Sequence, residues 1–574
     1  MPDNQPVDEG NVHYLDQNWS AETRHLFYHT TQGTRILPYD WFVALEQPEL
    51  SLFSSPGLFK DTDYLARFGF IPDLKPDPKL NPDQLPVGFA RSSNFIDPIT
   101  GQKMPVVGLT CAACHTGELH TEKDGKRIAV RIEGGPAMTD PGLFTKALGL
   151  AIGLTQKVPG RFDRFAKRVL KSHYNEQTAK ALEQTLDTII EQGIKNADIA
   201  DEKKLYEVEG GFARTDALGR ILNMVFGWSL SPDNLAPVDA PVNFPHIWDA
   251  PHFTWVQYNG SIHQPIVRNA GEALGVRAPV NLKDRSQLYK SSVDIRNLAR
   301  MESWLAGQAP FEGLQSPKWP EAILGKIDRT QALQGKKLYN QHCRGCHLPP
   351  MDELKQDLKS SKPRYWTRKF GPPLLKVKNI KVGLMGTDRT LLDSFLARTI
   401  KSPGILADEA GKAPHNWEPI EKGMSMGLAL GNATENVVKK WYIDNNIPPE
   451  EQSRINGYRK NLIRAESTYK ARPLNGVWAT APFLHNGSVP TLYQLLSPVQ
   501  ERMTVFYLGT KQFDAENIGF KTGSISGGFK LDTTTRGNAN TGHEFTDAPM
   551  GNGVIGPKLM PEERKAIIEF LKSQ

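Results

Sequence analysis

The sequence predicts a mainly α-helical protein with long loops, built as two related modules behind an N-terminal wrapping extension. Three observations predict it. Apolar residues recur at helical spacing over long stretches in the middle and at the end of the chain. Gly (49) and Pro (42) together make up about 16% of the 574 residues, too little for a low-complexity chain but enough for many ordered loops. Finally, one five-residue pattern of cysteine and histidine occurs twice, about 230 residues apart, and leaves no cysteine over.

Residues 1–105 carry no cysteine. Aromatic, Pro-punctuated stretches such as Tyr39-Asp40-Trp41-Phe42 and Ile71-Pro72-Asp73-Leu74 predict an extension of loops and short helices. Residues 106–325 form the first module, opened by Cys111. From Asp140 to Lys195 the pattern is helical: Leu143, Leu148 and Ile152, then Phe162, Phe165 and Val169, then one amphipathic helix from Glu176 to Asn196. Residues 326–574 form the second module. It starts with a short helix, Asp328–Gln341, that buries Leu333, Leu338 and Tyr339. Gly335 interrupts this helix at a cost of about 1 kcal/mol against Ala, so it needs a packing reason. The last helix, Pro561–Lys572, has Pro in its first turn, acids early, Lys late and a stripe of Ile567, Ile568 and Leu571.

Composition excludes some classes. The apolar share is 39%, or about 45% when Gly is counted and Tyr left out, which is the usual globular level. A net charge of +6, from 69 basic against 63 acidic residues, is too dilute over so large a surface to indicate nucleic acid. No run approaches the roughly 18 uninterrupted apolar residues of a membrane span.

The cysteines carry the chemistry. Cys111-Ala-Ala-Cys114-His115 and Cys343-Arg-Gly-Cys346-His347 are both Cys-x-x-Cys-His, the attachment pattern of haem c. Two thiols three positions apart reach the two vinyl groups of one porphyrin edge, and the next residue places its imidazole under the iron. Two covalent haems are therefore expected, with His115 and His347 as metal ligands. A four-sulfur zinc site would need the pairs much closer in sequence. A thioredoxin-like pair needs no His, and chance would put His after both pairs roughly 6 times in 10,000. Haem c is attached outside the bacterial cytoplasm, so a periplasmic or secreted protein is expected. The stretch Met1–Gly10 has neither the basic nor the apolar region of a signal peptide, which a processed chain would explain.

Two further signals bear on the second module. Asn259-Gly260-Ser261-Ile262 lies 144 residues after His115 and Asn486-Gly487-Ser488-Val489 lies 139 after His347, an echo that indicates duplication. His543, in the glycine-rich run Gly537–Phe545, is the candidate sixth ligand, with Met424, Met426 and Met550 competing. His485, in the segment Trp478–Tyr493, is a pocket candidate.

The two Cys-x-x-Cys-His motifs, Ala481-Pro-Phe-Leu-His485-Asn-Gly and the Gly542-His543 loop resemble the bacterial di-haem cytochrome c peroxidase superfamily. Within it the chain is most similar to the branch of rubber oxygenases and di-haem fatty-acid dioxygenases. The likeness covers residues 106–574 and implies two cytochrome c-like haem modules. The haem on His115 would be five-coordinate and reactive. The haem on His347, with His543 opposite, would be six-coordinate and handle electrons. The distal pocket would come from 253–272, with Phe253, Trp255, Gln264 and Glu272 as catalytic candidates. Peroxidase members use a distal Glu with a nearby Gln, here Glu272 and Gln264. Oxygenase members present an apolar face, here Phe253, Trp255 and Ala270. Two function classes follow: a dioxygenase inserting O2 at a carbon–carbon double bond of an unsaturated fatty acid or polyisoprenoid, and a hydrogen peroxide reductase fed by a small cytochrome. A structural calcium between the modules stays open.

Overall fold

The computed structural model describes residues 6–50, 55–369, 371–406 and 425–574. The architecture corrects the expected fold class: 40% of residues are helical and 15% lie in strands of several small sheets, so the fold is mixed α/β and not mainly α. The largest surprise follows the first Cys-x-x-Cys-His motif directly. Thr116–Lys123 and Lys126–Glu133 form an antiparallel hairpin in unbroken register, Thr116 opposite Glu133 and Lys123 opposite Lys126. Asp124 and Gly125 close it with φ of 51° and 70°, as a tight twisted turn requires. Val12–Tyr14 adds to its free edge in parallel, and Leu37–Pro38, Lys103–Leu109 and Phe89–Ile96 make a second three-stranded sheet. Most other strands are two to four residues long. Such ladders are too short to show a period in sequence, so helical spacing alone dominated the expectation.

The expected helices are present. Asp140 caps Pro141–Lys157, and Asn175 with Thr178 makes a reciprocal cap on Glu176–Glu202. With Arg161–Leu170 they pack on the N-terminal extension through Trp41, Phe42, Phe59, Phe144, Phe165 and Leu186. At about 1.5–3 kcal/mol per buried large apolar side chain, this second core anchors the extension firmly. The helix Arg329–His342 crosses the last helix, Pro561–Lys572, at Gly335. A Cβ there would fall 1.9 Å from the Ala566 carbonyl oxygen, which is the packing reason the sequence called for. Leu333, expected on the buried side, is 67% exposed instead.

The two halves repeat one another at an offset of 227 residues. Val256 donates its amide to Ile262 over 2.9 Å, and Phe483 donates to Val489 over 2.7 Å. Inside each loop the first residue and the glycine both take the left-handed conformation: Gln257 and Gly260 at 66° and 61°, Leu484 and Gly487 at 61° and 66°. For Gln257 and Leu484 that conformation costs about 1–2 kcal/mol each, so both loops are held by what surrounds them. Each loop runs into a helix whose cap lies three residues past the serine: Gln264 for Pro265–Gly275 and Thr491 for Leu492–Leu495. The loops also meet reciprocally. Asn243 donates its amide to His485 over 3.0 Å and Lys470 donates to Tyr258 over 2.8 Å. Residue i meeting j while the counterpart of j meets the counterpart of i is the signature of a two-fold relation, here within one chain.

Candidate haem sites

At the first motif, Thr110 caps the turn Cys111–Ala113, and the His115 amide returns to the Cys111 carbonyl over 2.9 Å. The His115 Nδ1 lies 2.8 Å from the carbonyl oxygen of Pro245. That bond fixes the proton on Nδ1 and leaves the Nε2 lone pair for a metal, the usual support of a ligating histidine. Burial pushes His115 down to about 4, so the ring is neutral. Burial also pushes the Cys114 thiol up to about 12 and Cys111 higher.

The second motif repeats the device. The His347 amide returns to Cys343 over 2.9 Å, and Nδ1 lies 2.7 Å from the Arg472 carbonyl. Pro245 and Arg472 are 227 residues apart, so the two acceptors are one position of the repeat. Burial raises the Cys343 thiol to about 12 and lowers His347. The four cysteines form no disulfide, and the two pairs stay on separate motifs, which leaves no four-sulfur site.

His543 stands opposite His347, with ring centroids 6.1 Å apart and planes at 66°. Two metal–imidazole bonds of about 2.0–2.1 Å, each plus about 1.1 Å from nitrogen to ring centre, would set centroids about 6.3 Å apart. The gap therefore suits one iron. His543 is held by its backbone: φ is 48°, its amide donates to the Met385 carbonyl over 2.9 Å, and Arg502 donates to its carbonyl over 3.0 Å. Burial pushes its ring down to about 3, with His347 adding to the shift. Of the competing methionines, Met426 is buried in the core within the helix Met426–Asp444, Met550 is 68% exposed, and Met424 lies outside the described residues.

The ring beside His115 is different: Phe244, 6.5 Å away. Glu272, on the helix Pro265–Gly275, is brought to this site. Burial raises its carboxyl, and its charge would in turn raise both Cys111 and Cys114. The glutamine that meets it is Gln257, donating over 2.9 Å, and not Gln264. Gln264 is occupied as the helix cap, accepting from the Val267 amide at 2.7 Å and donating to Asn456 at 2.5 Å. Phe253 is 1% exposed and has the Arg472 guanidinium 5.5 Å and the Lys470 ammonium 5.6 Å from its ring centre. Trp255 lies under Arg464, 3.9 Å from guanidinium to ring centre, beside His263. Ala270 is fully buried on the same helix as Glu272.

Sequence reasoning missed the buried cations. Arg472 (Nε and Nη2) and Arg214 (Nε and Nη1) have buried guanidinium nitrogens with no hydrogen-bond partner among the described residues. Burial pushes Arg472 down to about 10, Arg214 to about 9, and Lys470 well below its ordinary range. Arg472 acts on His115 electrostatically, whereas Arg214 donates to Asn538, five residues before His543. Uncompensated buried charges cost several kcal/mol each. Haem brings two propionates, so these buried cations are what that group needs. The donor set fits haem. Also missed was Trp248, fully buried, donating its indole N–H to the Asn475 carbonyl over 3.1 Å and stacked on His246 at 4.3 Å. Trp248 and Asn475 are again 227 apart. Beyond the two Cys-x-x-Cys-His motifs, only the Asn-Gly-Ser echo marked this repeat in the sequence, because the residues around 245 and 472 share no letters beyond the pattern of turns.

A family model described as RoxA-like, cytochrome c-like, matches residues 468–507, the stretch that supplies the His347 acceptor, two of the buried cations (Lys470 and Arg472) and His485. An uncharacterized protein y4iJ of Sinorhizobium fredii (strain NBRC 101917 / NGR234) is 44% identical over 598 aligned positions, covering 100% of this chain and 94% of that protein. The chain belongs to the family of y4iJ. A second uncharacterized protein of the same strain, y4iM, is 22% identical over 357 positions, 60% of this chain and 67% of its own length. The RoxA-like cytochrome c segment implies haem c as cofactor and a haem oxidoreductase as the class. Among the described residues no helix is long and apolar enough to cross a membrane. No cluster of three or more His, Cys, Asp or Glu side chains among them is gathered to hold an ion such as calcium.

Proposed function

We propose that this chain carries two covalent haems, on Cys111, Cys114 and His115 and on Cys343, Cys346 and His347. We further propose that it is a periplasmic or secreted dioxygenase, inserting both atoms of O2 at a carbon–carbon double bond of an apolar unsaturated substrate. The observation that carries this reading is the asymmetry between equivalent sites. His347 faces a second imidazole at ligand distance, while the aromatic ring beside His115 is Phe244.

When bound, ferrous haem supplies an O2-reactive centre with electrons to share; the chain supplies the rest. The Pro245 carbonyl holds His115 in the ligating tautomer. Phe244, buried beside His115, keeps water from the reacting face and suits an apolar chain better than a polar one. Arg472 and Arg214 would hold the propionates of the bound group. His543 closes the second site, which leaves that haem to electron traffic. The test is incubation with an unsaturated fatty acid or polyisoprenoid under labelled O2, with mass spectrometry of the product.

One observation favours a second reading, hydrogen peroxide reduction. Glu272 is a buried carboxyl raised by burial, bonded to Gln257 and close to the first motif. Such a group can move a proton between peroxide oxygens. Consumption of peroxide with a reduced small cytochrome, and no label in lipid, would favour it.

A further inference from the structure

Directly after the second motif, the segment Lys355–Lys381 carries nine Lys or Arg and a single acid, Asp357. At the chain's own frequency of 69 cations in 574 residues, such a length would hold about three. The segment is net +8 in a chain of net +6, so all the rest together is −2. All nine cations are exposed. Asp357 does not offset them outwardly, because its carboxylate accepts the amides of Arg364 and Tyr365 at 2.9 and 2.8 Å.

This is a built surface, not a loose tail. Leu354, Trp366 and Leu375 pack with Leu348 and Phe253 in one small core, and the Trp366 indole donates to the Leu354 carbonyl over 2.9 Å. Lys378–Lys381 pairs with Thr468–Ala471, and the Lys378 ammonium donates to the carbonyl of Gly345, inside the Cys343–His347 motif. Gly345 is exposed, so the turn of that motif, through its bond to Lys378, lies within the basic face. Leu384, 50% exposed and accepting the Gly553 amide near the His543 loop, adds an apolar spot.

We propose that this face docks an acidic, one-electron carrier protein beside the haem on His347. The inference rests on the reading that this motif holds a haem. Cations around an apolar spot and an exposed redox edge suit a transient partner steered by opposite charge. In each encounter the carrier loses one electron and the haem iron gains it, from ferric to ferrous, with no bond made or broken.

The experiment follows reduction of the ferric holoprotein by a reduced, acidic two-iron ferredoxin in stopped flow, at several ionic strengths. Lys359→Glu/Lys362→Glu/Lys376→Glu should slow the second-order rate at least ten-fold at low salt and flatten its salt dependence. Lys157→Glu/Lys180→Glu/Lys195→Glu, exposed cations elsewhere, should stay within two-fold of wild type. Dithionite should reduce all three proteins alike. Equal ferredoxin rates for the patch variant and wild type would overturn the proposal. So would an unchanged ferredoxin rate accompanied by loss of wild-type binding to anionic phospholipid vesicles, which would make the face a membrane site. Absence of any low-spin haem c spectrum at the second motif would instead sink the reading of the haem itself.

Discussion

Tyr258 and His485 face each other with ring centroids 6.2 Å apart, and they are the same residue position of the two repeats, 227 residues apart. Each carbonyl accepts an amide from the other half, His485 from Asn243 and Tyr258 from Lys470. A two-fold relation makes the surroundings of the two Cys-x-x-Cys-His motifs equal by default. What differs must come from individual substitutions: Arg472 where the other half has Pro245, Trp248 where it has Asn475, and a loop that carries His543 to one side only. Function is written in those departures.

Stoichiometry is the first consequence. The mass of the holoprotein should exceed that of the chain by two haems. Cys111→Ala or Cys343→Ala should each weaken attachment at one site and leave the other intact. Mass spectrometry of the denatured protein reads this, and a single haem in wild type would refute the pairing of sites.

Ligation comes next. With His543 on the second iron, that centre is low-spin and closed to carbon monoxide. His543→Ala should make it high-spin and raise carbon monoxide uptake from one to two per chain. His543 is neutral throughout the ordinary pH range because burial holds it down to about 3, so wild-type ligation should not vary between pH 5 and 8. Uptake of two carbon monoxide molecules by wild type would contradict the assignment.

Packing at Gly335 is testable without haem spectroscopy. A methyl group there would sit 1.9 Å from the Ala566 carbonyl and 2.9 Å from the Phe570 Cβ. Backbone cannot yield as a side-chain tip does, so Gly335→Ala should cost about 3 kcal/mol, the upper end of ordinary overpacking. Chemical denaturation of the holoprotein measures it. A loss under about 1 kcal/mol would mean that the helices cross elsewhere.

The halves are also clamped by a buried ionic cluster. Glu118 accepts from Arg131 at 2.8 Å, from His120 at 3.0 Å and from Lys511 of the second half at 3.1 Å. Burial works against the Glu118 anion, but Lys511, Arg131 and His120 overcome it and hold the carboxyl well below its usual range. A depressed carboxyl contributes stability above its unfolded value, near pH 4, and loses it as pH falls through the folded value. Glu118→Gln should cost about 3–5 kcal/mol at pH 7, by leaving Lys511 and Arg131 uncompensated, and should flatten the acid limb of the stability curve. An unaltered acid limb would show that the cluster is not ionised as drawn.

Much of the site was legible from chemistry-bearing letters. The two Cys-x-x-Cys-His motifs need no tertiary information, and Gly542-His543 marked a loop whose backbone must turn sharply. Gly335 was readable as a helix crossing because glycine in a helix demands a neighbour. The strands were less legible, though Asp124-Gly125 between Thr116–Lys123 and Lys126–Glu133 was a hairpin signal in plain view. The cations were invisible for a physical reason. A Lys or Arg reads as solvent-facing until the fold buries it, and a net charge of +6 averages Arg472, Arg214 and the exposed run 355–381 into one small number.

The activity itself gives the sharpest prediction. Inserting O2 consumes no outside reductant per turnover, since all electrons come from the double bond, so turnover should proceed with O2 alone and no added peroxide. Both labelled atoms should appear in the carbonyl products of an oleate-like or isoprenoid substrate. Glu272 lies beside the first motif, yet such insertion needs no proton from it, so Glu272→Gln should keep more than half the activity. Phe244→Asp, which sets an acid beside His115, should cut the rate at least ten-fold through water entry and lost substrate fit. Since Phe244 is also buried, the variant's haem spectrum must match wild type before its rate is compared. If Glu272→Gln abolishes turnover, and peroxide with a reduced cytochrome is the only productive pair, the site is a peroxide reductase and Gln257 is the partner that orients its acid.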